Sequence, residues 1–286
     1  MRRHELTDQE WELLAPLIPR AVTGRPRVED RQVINGMVYK IRTGVSWRDL
    51  PERYGPWKTV YTRFRRYALD GVFTRALQQI QARADAAGDI DWLVQIDSTI
   101  VRAHQHAADT GRKGGSIDRT NRNDHALGRS RGGLTTKIHL ACDGKGRPLA
   151  VLLTAGQRHD SVCARSLLER IRVPRTGRGR PRCRPNHVIA DKAYSSRGLR
   201  AYLRRRNLTH TIPEKQDQKG HRRNRGRRGG RPPVFDRDTY RRRNIVERCF
   251  NQLKGFRGLA TRYDKTATSY EAAVSLASFL LWARSV

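Results

Sequence analysis

Apolar residues recur at helical spacing over roughly the first 85 positions and at strand spacing in much of the remaining chain. Thr7-Asp-Gln-Glu10 forms a capping box, predicting a helix that carries Trp11, Leu13, Leu14 and Leu17 and stops at Pro19. A second helix is predicted over Glu29–Thr43, ended by Gly44, and a short one at Trp47-Arg-Asp-Leu50. Another starts at Trp57, just behind Pro56, and runs through Tyr67. Its Val60, Phe64 and Tyr67 share an inward face, whereas Lys58, Thr62, Arg65 and Arg66 point outward. We assign residues 1–85 to a small helical domain, helix-turn-helix-like and DNA-binding through Lys58, Arg65 and Arg66. An ordinary amphipathic helix with a solvated cationic face has the same pattern.

From about residue 90 the pattern changes. Trp92–Val101 reads as a strand, and Leu134–Cys142, Asp143-Gly144 and Arg147–Thr154 read as a hairpin. A helix over Ser161–Ile171, a strand at His187–Ala190, a basic helix over Ser195–Asn207 and a strand at Leu208–Pro213 come next. A long helix from about Asp238 to Phe256 and a last one opened by the capping box Thr268-Ser-Tyr-Glu271 complete the series. Three strands followed by βαβ units give an α/β fold, a mixed sheet flanked by helices, and this order resembles the ribonuclease H-like fold. Residues 90–286 are assigned to it. Gln105–Gly133 and Lys215–Pro233 are polar, rich in Gly and Arg, and read as flexible basic segments; the second holds eight cations and a single acid, Asp217.

Charge narrows the function. Lys and Arg number 59 against 27 Asp and Glu, a formal net charge of +32. A GC-rich genome favours arginine over lysine, and only ten of the cations are lysine, but that bias alone does not create so large an excess. A field of this sign favours phosphate backbones and predicts binding that weakens steeply with salt. The four cysteines are dispersed, with no C-x-x-C pair, so neither a zinc site nor a disulfide framework is indicated. The residues after Met1 lack the apolar core of a signal peptide, and Ala272–Trp282 is too short for a bilayer span, so a cytoplasmic, nucleoid-associated protein is expected.

Against this basic background three carboxylates stand out. Asp97 lies in a strand on which Trp92, Val94, Ile96 and Ile100 point one way and Gln95, Asp97 and Thr99 the other. Asp191 ends the His187–Ala190 strand, where ligand groups gather in open α/β sheets; a cap for the helix beginning near Ser195 is the plainer alternative. On the long helix, Arg243, Glu247 and Lys254 fall about 60°, 20° and 40° behind Tyr240, in one narrow stripe. Ile245, Val246, Cys249, Leu253 and Phe256 take the opposite side. Three carboxylates brought together require cations, and hard divalent ions such as Mg²⁺ accept oxygen ligands while leaving room for phosphate. Two ions about 4 Å apart suit in-line phosphoryl transfer. His104, His106 and His159 are candidate assistants, though surface positions explain them as well.

The spacing Tyr240-x2-Arg243-x3-Glu247-x6-Lys254, after Asp97 and Asp191, resembles the DDE transposases of bacterial insertion sequences, in the insertion-sequence-five group. Gln95–His104, Gly133–Leu140, Ala190–Tyr194, Arg257–Tyr263 and Trp47–Pro51 extend the resemblance over nearly the whole chain. The resemblance implies a catalytic and metal-binding set of Asp97, Asp191 and Glu247 with two Mg²⁺ (or Mn²⁺) ions. It also implies DNA contacts by Tyr240, Arg243 and Lys254, cleavage at element ends, attack of the freed 3′-hydroxyl on target DNA, and a homo-oligomer holding two ends. A nuclease without strand transfer, or a DNA-binding protein derived from a transposase, are the competing readings.

Overall fold

The computed structural model describes residues 4–19, 27–108, 125–130 and 133–285. Four helices lead: α1 (Asp8–Leu14), α2 (Asp30–Thr43), α3 (Trp57–Leu69) and α4 (Val72–Ala86). The Thr7 hydroxyl accepts from the Glu10 amide while Glu10 receives the Thr7 amide, so the expected capping box starts α1. Gly44 at φ +78° ends α2, a left-handed geometry that costs glycine least. Val60, Phe64 and Tyr67 are buried on α3, and Lys58, Arg65 and Arg66 are exposed.

Strand β1 (Leu93–Ala103) is central. After it come α5 (Gln105–Ala108), β2 (Gly128–Ser130), β3 (Gly133–Cys142), β4 (Pro148–Ala155) and α6 (Asp160–Glu169). Next are β5 (His187–Ala190), α7 (Arg197–Arg205), β6 (Thr209–Thr211), α8 (Gln216–Asn224), α9 (Arg237–Arg241) and α10 (Asn244–Lys254). The described chain closes with α11 (Arg257–Ala260), β7 (Thr261–Arg262) and α12 (Ala267–Ala283). β1 pairs antiparallel with β3, β3 antiparallel with β4, and β1, β5 and β6 run parallel to one another. The resulting spatial order β4-β3-β1-β5-β6 is a ribonuclease H-like mixed sheet, with short β2 and β7 at its margins. α10 packs against β1 and β3, and α6 against β3 and β4.

The apolar α12 is buried on nearly every side, as a helix without a polar face must be. It touches α1–α4 as well as β4, α10 and α11, so one hydrophobic core runs from the leading helices into the sheet region. No helix among the described residues is long and apolar enough to cross a membrane.

Several expectations need correction. The long helix over Asp238–Phe256 is two helices, α9 and α10, parted at Arg242–Arg243 by tight turns in which the Arg242 and Arg243 amides bond to Thr239 and Tyr240. α12 is capped by Thr266, whose hydroxyl accepts from the Ser269 amide, and Glu271 instead pairs with Arg170. Lys215–Pro233 is not free of regular structure, since α8 lies within it, docked by Gln218 onto the Ser195 hydroxyl and carbonyl and by an Arg222–Glu214 pair. Ile100 is 51% exposed rather than inward, because it lies beyond the reach of α6, whose first turn meets β1 at Ser98. Most of Gln105–Gly133 lies outside the described residues, apart from α5 and β2.

Candidate functional site

Asp97 and Asp191 meet because β1 and β5 are parallel neighbours in register. Ile96 pairs with Ala190, so the next residue on each strand, in both cases aspartate, emerges at the same carboxyl edge. One Asp191 oxygen accepts the Ala193 amide at 2.8 Å and caps a tight turn over Lys192–Tyr194, whereas the helix that follows, α7, is capped by Ser196. Asp97 accepts the Ser98 amide at 2.8 Å. Burial pushes its carboxyl up to about 6, against the Ser98 amide; Asp191 and Asp160 add to the rise and Arg243 opposes it.

Strand alternation settles what each side of β1 touches. Gln95, Asp97 and Thr99 face α10: the Gln95 Oε1 accepts the Val246 amide at 3.0 Å, and Lys254 Nζ donates to the Thr99 hydroxyl at 2.7 Å. Between these anchors Arg243 reaches Asp97 at 3.3 Å with one guanidinium nitrogen and pairs with Glu247 through the other. A residue in the break ahead of α10 thus bridges two of the three acids. Among the described residues, no cluster of three or more Asp, Glu, His or Cys side chains closes around a common metal point. Glu247, its side chain 48% exposed, is turned toward Arg243 instead.

The donor set nevertheless fits a divalent cation. Two carboxylates share one strand edge, burial and the neighbouring Asp191 raise the Asp97 carboxyl, and a single guanidinium faces more than one acid. Oxygen donors that lack sufficient positive charge are what Mg²⁺ or Mn²⁺ takes. Tyr240, in α9, is half-buried; burial raises its hydroxyl, Arg243 lowers it, and Asp191, Asp97 and Glu247 raise it further, which puts the ring within the field of all three acids. It lies against Phe235, with ring centres 5.1 Å apart. Lys58, Arg65 and Arg66 are exposed on α3 and pair with none of the three acids.

Sequence reasoning missed a second layer on the opposite side of β1. Ser98 donates to Asp160 Oδ1 at 2.7 Å, and Lys137 reaches the same oxygen at 2.9 Å. Burial raises the Asp160 carboxyl, but these two donors outweigh it and hold it below the usual range. The Tyr194 hydroxyl is buried, and burial together with Asp97, Asp160 and Asp191 pushes it well above its usual range, with Ser98 opposing. No local spacing signals this layer, because Ser98 and Asp160 lie 62 residues apart. The histidines go elsewhere: His159 caps α6, while His104 stacks on His106 and Tyr263.

Comparison with known proteins decides the family. A family described as transposases of the IS4/5 family matches residues 6–77, and the transposase DDE domain matches residues 90–282. The chain belongs to the DDE transposases of the IS4/5 family. Its relatives include protein y4sN of Sinorhizobium fredii, 40% identical over 117 residues, 40% of this chain and 90% of that protein. The transposase for insertion sequence element IS6501 of Brucella ovis is 34% identical over 151 residues, 53% of this chain and 100% of that protein. Among solved structures, the Mos1 mariner paired end complex with Mn aligns over 94% of this chain and 82% of that chain, with 11% identity and a TM-score of 0.25. A likeness that loose carries no conclusion, and the fold rests on strand order alone. The transposase is therefore an enzyme acting on DNA, of a family that depends on divalent metal.

Proposed function

We propose that Asp97, Asp191 and Glu247 are the catalytic carboxylates of this transposase and the ligands of two Mg²⁺ ions, with Mn²⁺ as a substitute. The observation that carries the reading is the register of β1 and β5, which sets two aspartates side by side beneath the helix that bears Glu247. When bound, the ions would lower the cost of forming the attacking oxyanion and of releasing the departing one.

The chain's own groups divide the remaining work. Asp97 and Asp191 are held by Ser98, Ala193 and their strands, so the edge that receives a scissile phosphate is already in place. Arg243 bridges Asp97 and Glu247, and with both carboxylates holding metal its guanidinium would be free to meet a phosphate oxygen. Tyr240 and Lys254 flank that position and contact the DNA strand. Lys58, Arg65 and Arg66 bind duplex phosphate as the outward face of a helix-turn-helix-like domain over residues 1–85, ahead of a catalytic domain over 90–286.

The reaction is cleavage at the ends of an insertion sequence followed by transfer of the freed 3′-hydroxyl into target DNA. Two ends must be cut and joined together, so the working form is a homo-oligomer in the bacterial cytoplasm, associated with the nucleoid. The test supplies pre-cleaved element ends, target DNA and Mg²⁺. Joined products are expected from the wild type and none from Asp97→Asn; a wild type that nicks but never joins would make the protein a nuclease.

A further inference from the structure

Past the end of β1, where His104 meets Tyr263, α2, α3 and the segment after β7 enclose a cleft of about 530 Å³. Its walls are rings: Trp47, Trp57, Tyr61 and Tyr263, each half-buried. Its floor is an ion pair. Lys40 is 2% exposed and Asp264 7%, and the Lys40 ammonium lies 3.8 Å from Asp264 Oδ2 with the Trp47 ring at 5.2 Å and the Tyr263 ring at 5.9 Å. That Asp264 oxygen is buried with no hydrogen-bond partner. A buried pair this loosely joined leaves part of its desolvation cost uncompensated, so a polar edge reaching the floor would supply what is missing. The floor is also firmly built: the fully buried Arg262 guanidinium donates to the Asp264 carbonyl at 2.9 Å and the Lys265 carbonyl at 3.1 Å. Arg48, Arg65 and Lys265 stand at the rim.

We propose that this cleft receives one nucleobase turned out of the DNA stack. The inference rests on the transposase acting on DNA. Flat aromatic walls take the faces of a base, and stacking of this kind is worth about 1–3 kcal/mol per base. The edge of every unpaired base sets a hydrogen-bond donor beside an acceptor, which matches a carboxylate beside an ammonium. In duplex DNA that edge is occupied by the partner base, so only an extruded base can use the floor. The rim cations meet the phosphates on either side.

The cleft's position separates this base from the reacting nucleotide. β1 runs from Asp97 toward His104, whose ring stacks on Tyr263 with centres 4.8 Å apart. Seven residues of strand span about 23 Å, equivalent to some seven base-pair steps along a duplex.

The test is a mismatch walk. Duplex copies of the inverted repeats flanking the gene, each with one mispaired base at a successive position, are titrated with the full chain. Mispairing removes the extrusion cost, so at one position affinity is expected to rise at least about tenfold over the matched duplex. That ratio should fall to about one in Trp57→Ala, which removes a wall, and in Asp264→Asn, which alters the floor; melting curves verify that both variants fold. No gain at any position, or a gain that persists in both variants, would overturn the proposal. A wild type that shows the gain yet neither nicks nor joins would leave the cleft standing and sink the catalytic reading instead. Failure to bind the matched repeat would defeat both.

Discussion

Gln95 accepts the Val246 backbone N–H at 3.0 Å, and this bond fastens the first turn of α10 to the middle of β1. Both groups are fully buried, and Val246 immediately precedes Glu247, so the bond fixes the height of that carboxylate above Asp97. Gln95→Leu should therefore strand the amide and cost about 1–3 kcal/mol of stability. DNA nicking should fall more steeply than DNA binding. Chemical melts and a nicking assay on the same preparations check both.

Asp97→Asn and Glu247→Gln remove metal-binding charge while keeping side-chain shape. Nicking of element-end DNA should fall on the order of 10³-fold or more in each, with gel-shift affinity changed by no more than a few-fold. A Glu247→Gln variant that cleaves at the wild-type rate would remove Glu247 from the site.

Divalent metal should stabilise the fold itself. Mg²⁺ at a hundred times its dissociation constant is expected to add about 2.7 kcal/mol to the wild type, read as a higher melting temperature that EDTA reverses. Asp97→Asn should show little of this gain. An identical gain in both would place the metal elsewhere.

His139, fully buried on β3, predicts an acid sensitivity. Burial lowers its imidazole from 6.5 to about 4, while its Nε2 pairs with the Thr154 hydroxyl at 2.8 Å. A base depressed on folding gives its full stability above the unfolded value and loses it as pH falls. The loss from this residue should thus develop between pH 6.5 and about 4 and reach on the order of 1–3 kcal/mol. Melts across that range should be flatter for His139→Leu than for the wild type, after alignment at neutral pH.

The exposed cations of α3 should register in salt dependence. Replacing Lys58 and Arg65 by Ala is expected to lower the slope of log affinity against log salt by about one for each cation lost. Arg66 should matter less, since it already lies 3.7 Å from Asp70. Unchanged slopes would show that DNA avoids this face.

Alternation makes the face of Asp97 legible from sequence, because a strand has only two sides and Gln95 and Thr99 mark the polar one. The cap at Thr7 is legible for a similar reason: its partners lie three residues apart. The break before α10 is not, since Arg242 and Arg243 are good helix formers and the turn there is held by residues distant in sequence: Arg242 by Asp91, Arg243 by Asp97. The helical wheel through Tyr240 consequently crosses a discontinuity, and Tyr240 reaches the acids by way of the turn. Helix α8 escapes notice because none of its residues is buried, and its anchors at Ser195 and Glu214 are tertiary. The Ser98–Asp160 contact joins residues 62 apart, a distance no local pattern encodes.

Helix α12 bears on how the polypeptide is made. The leading helices emerge from the ribosome before α12, and although they partly cover one another, their apolar faces are fully covered once residues 267–283 have been added. A translation product halted before that point would expose Phe73, Leu77 and their neighbours to water and would tend to aggregate. A shortened copy of the gene would therefore make a poor competitor for element ends, and mobility would depend on synthesis through that final helix.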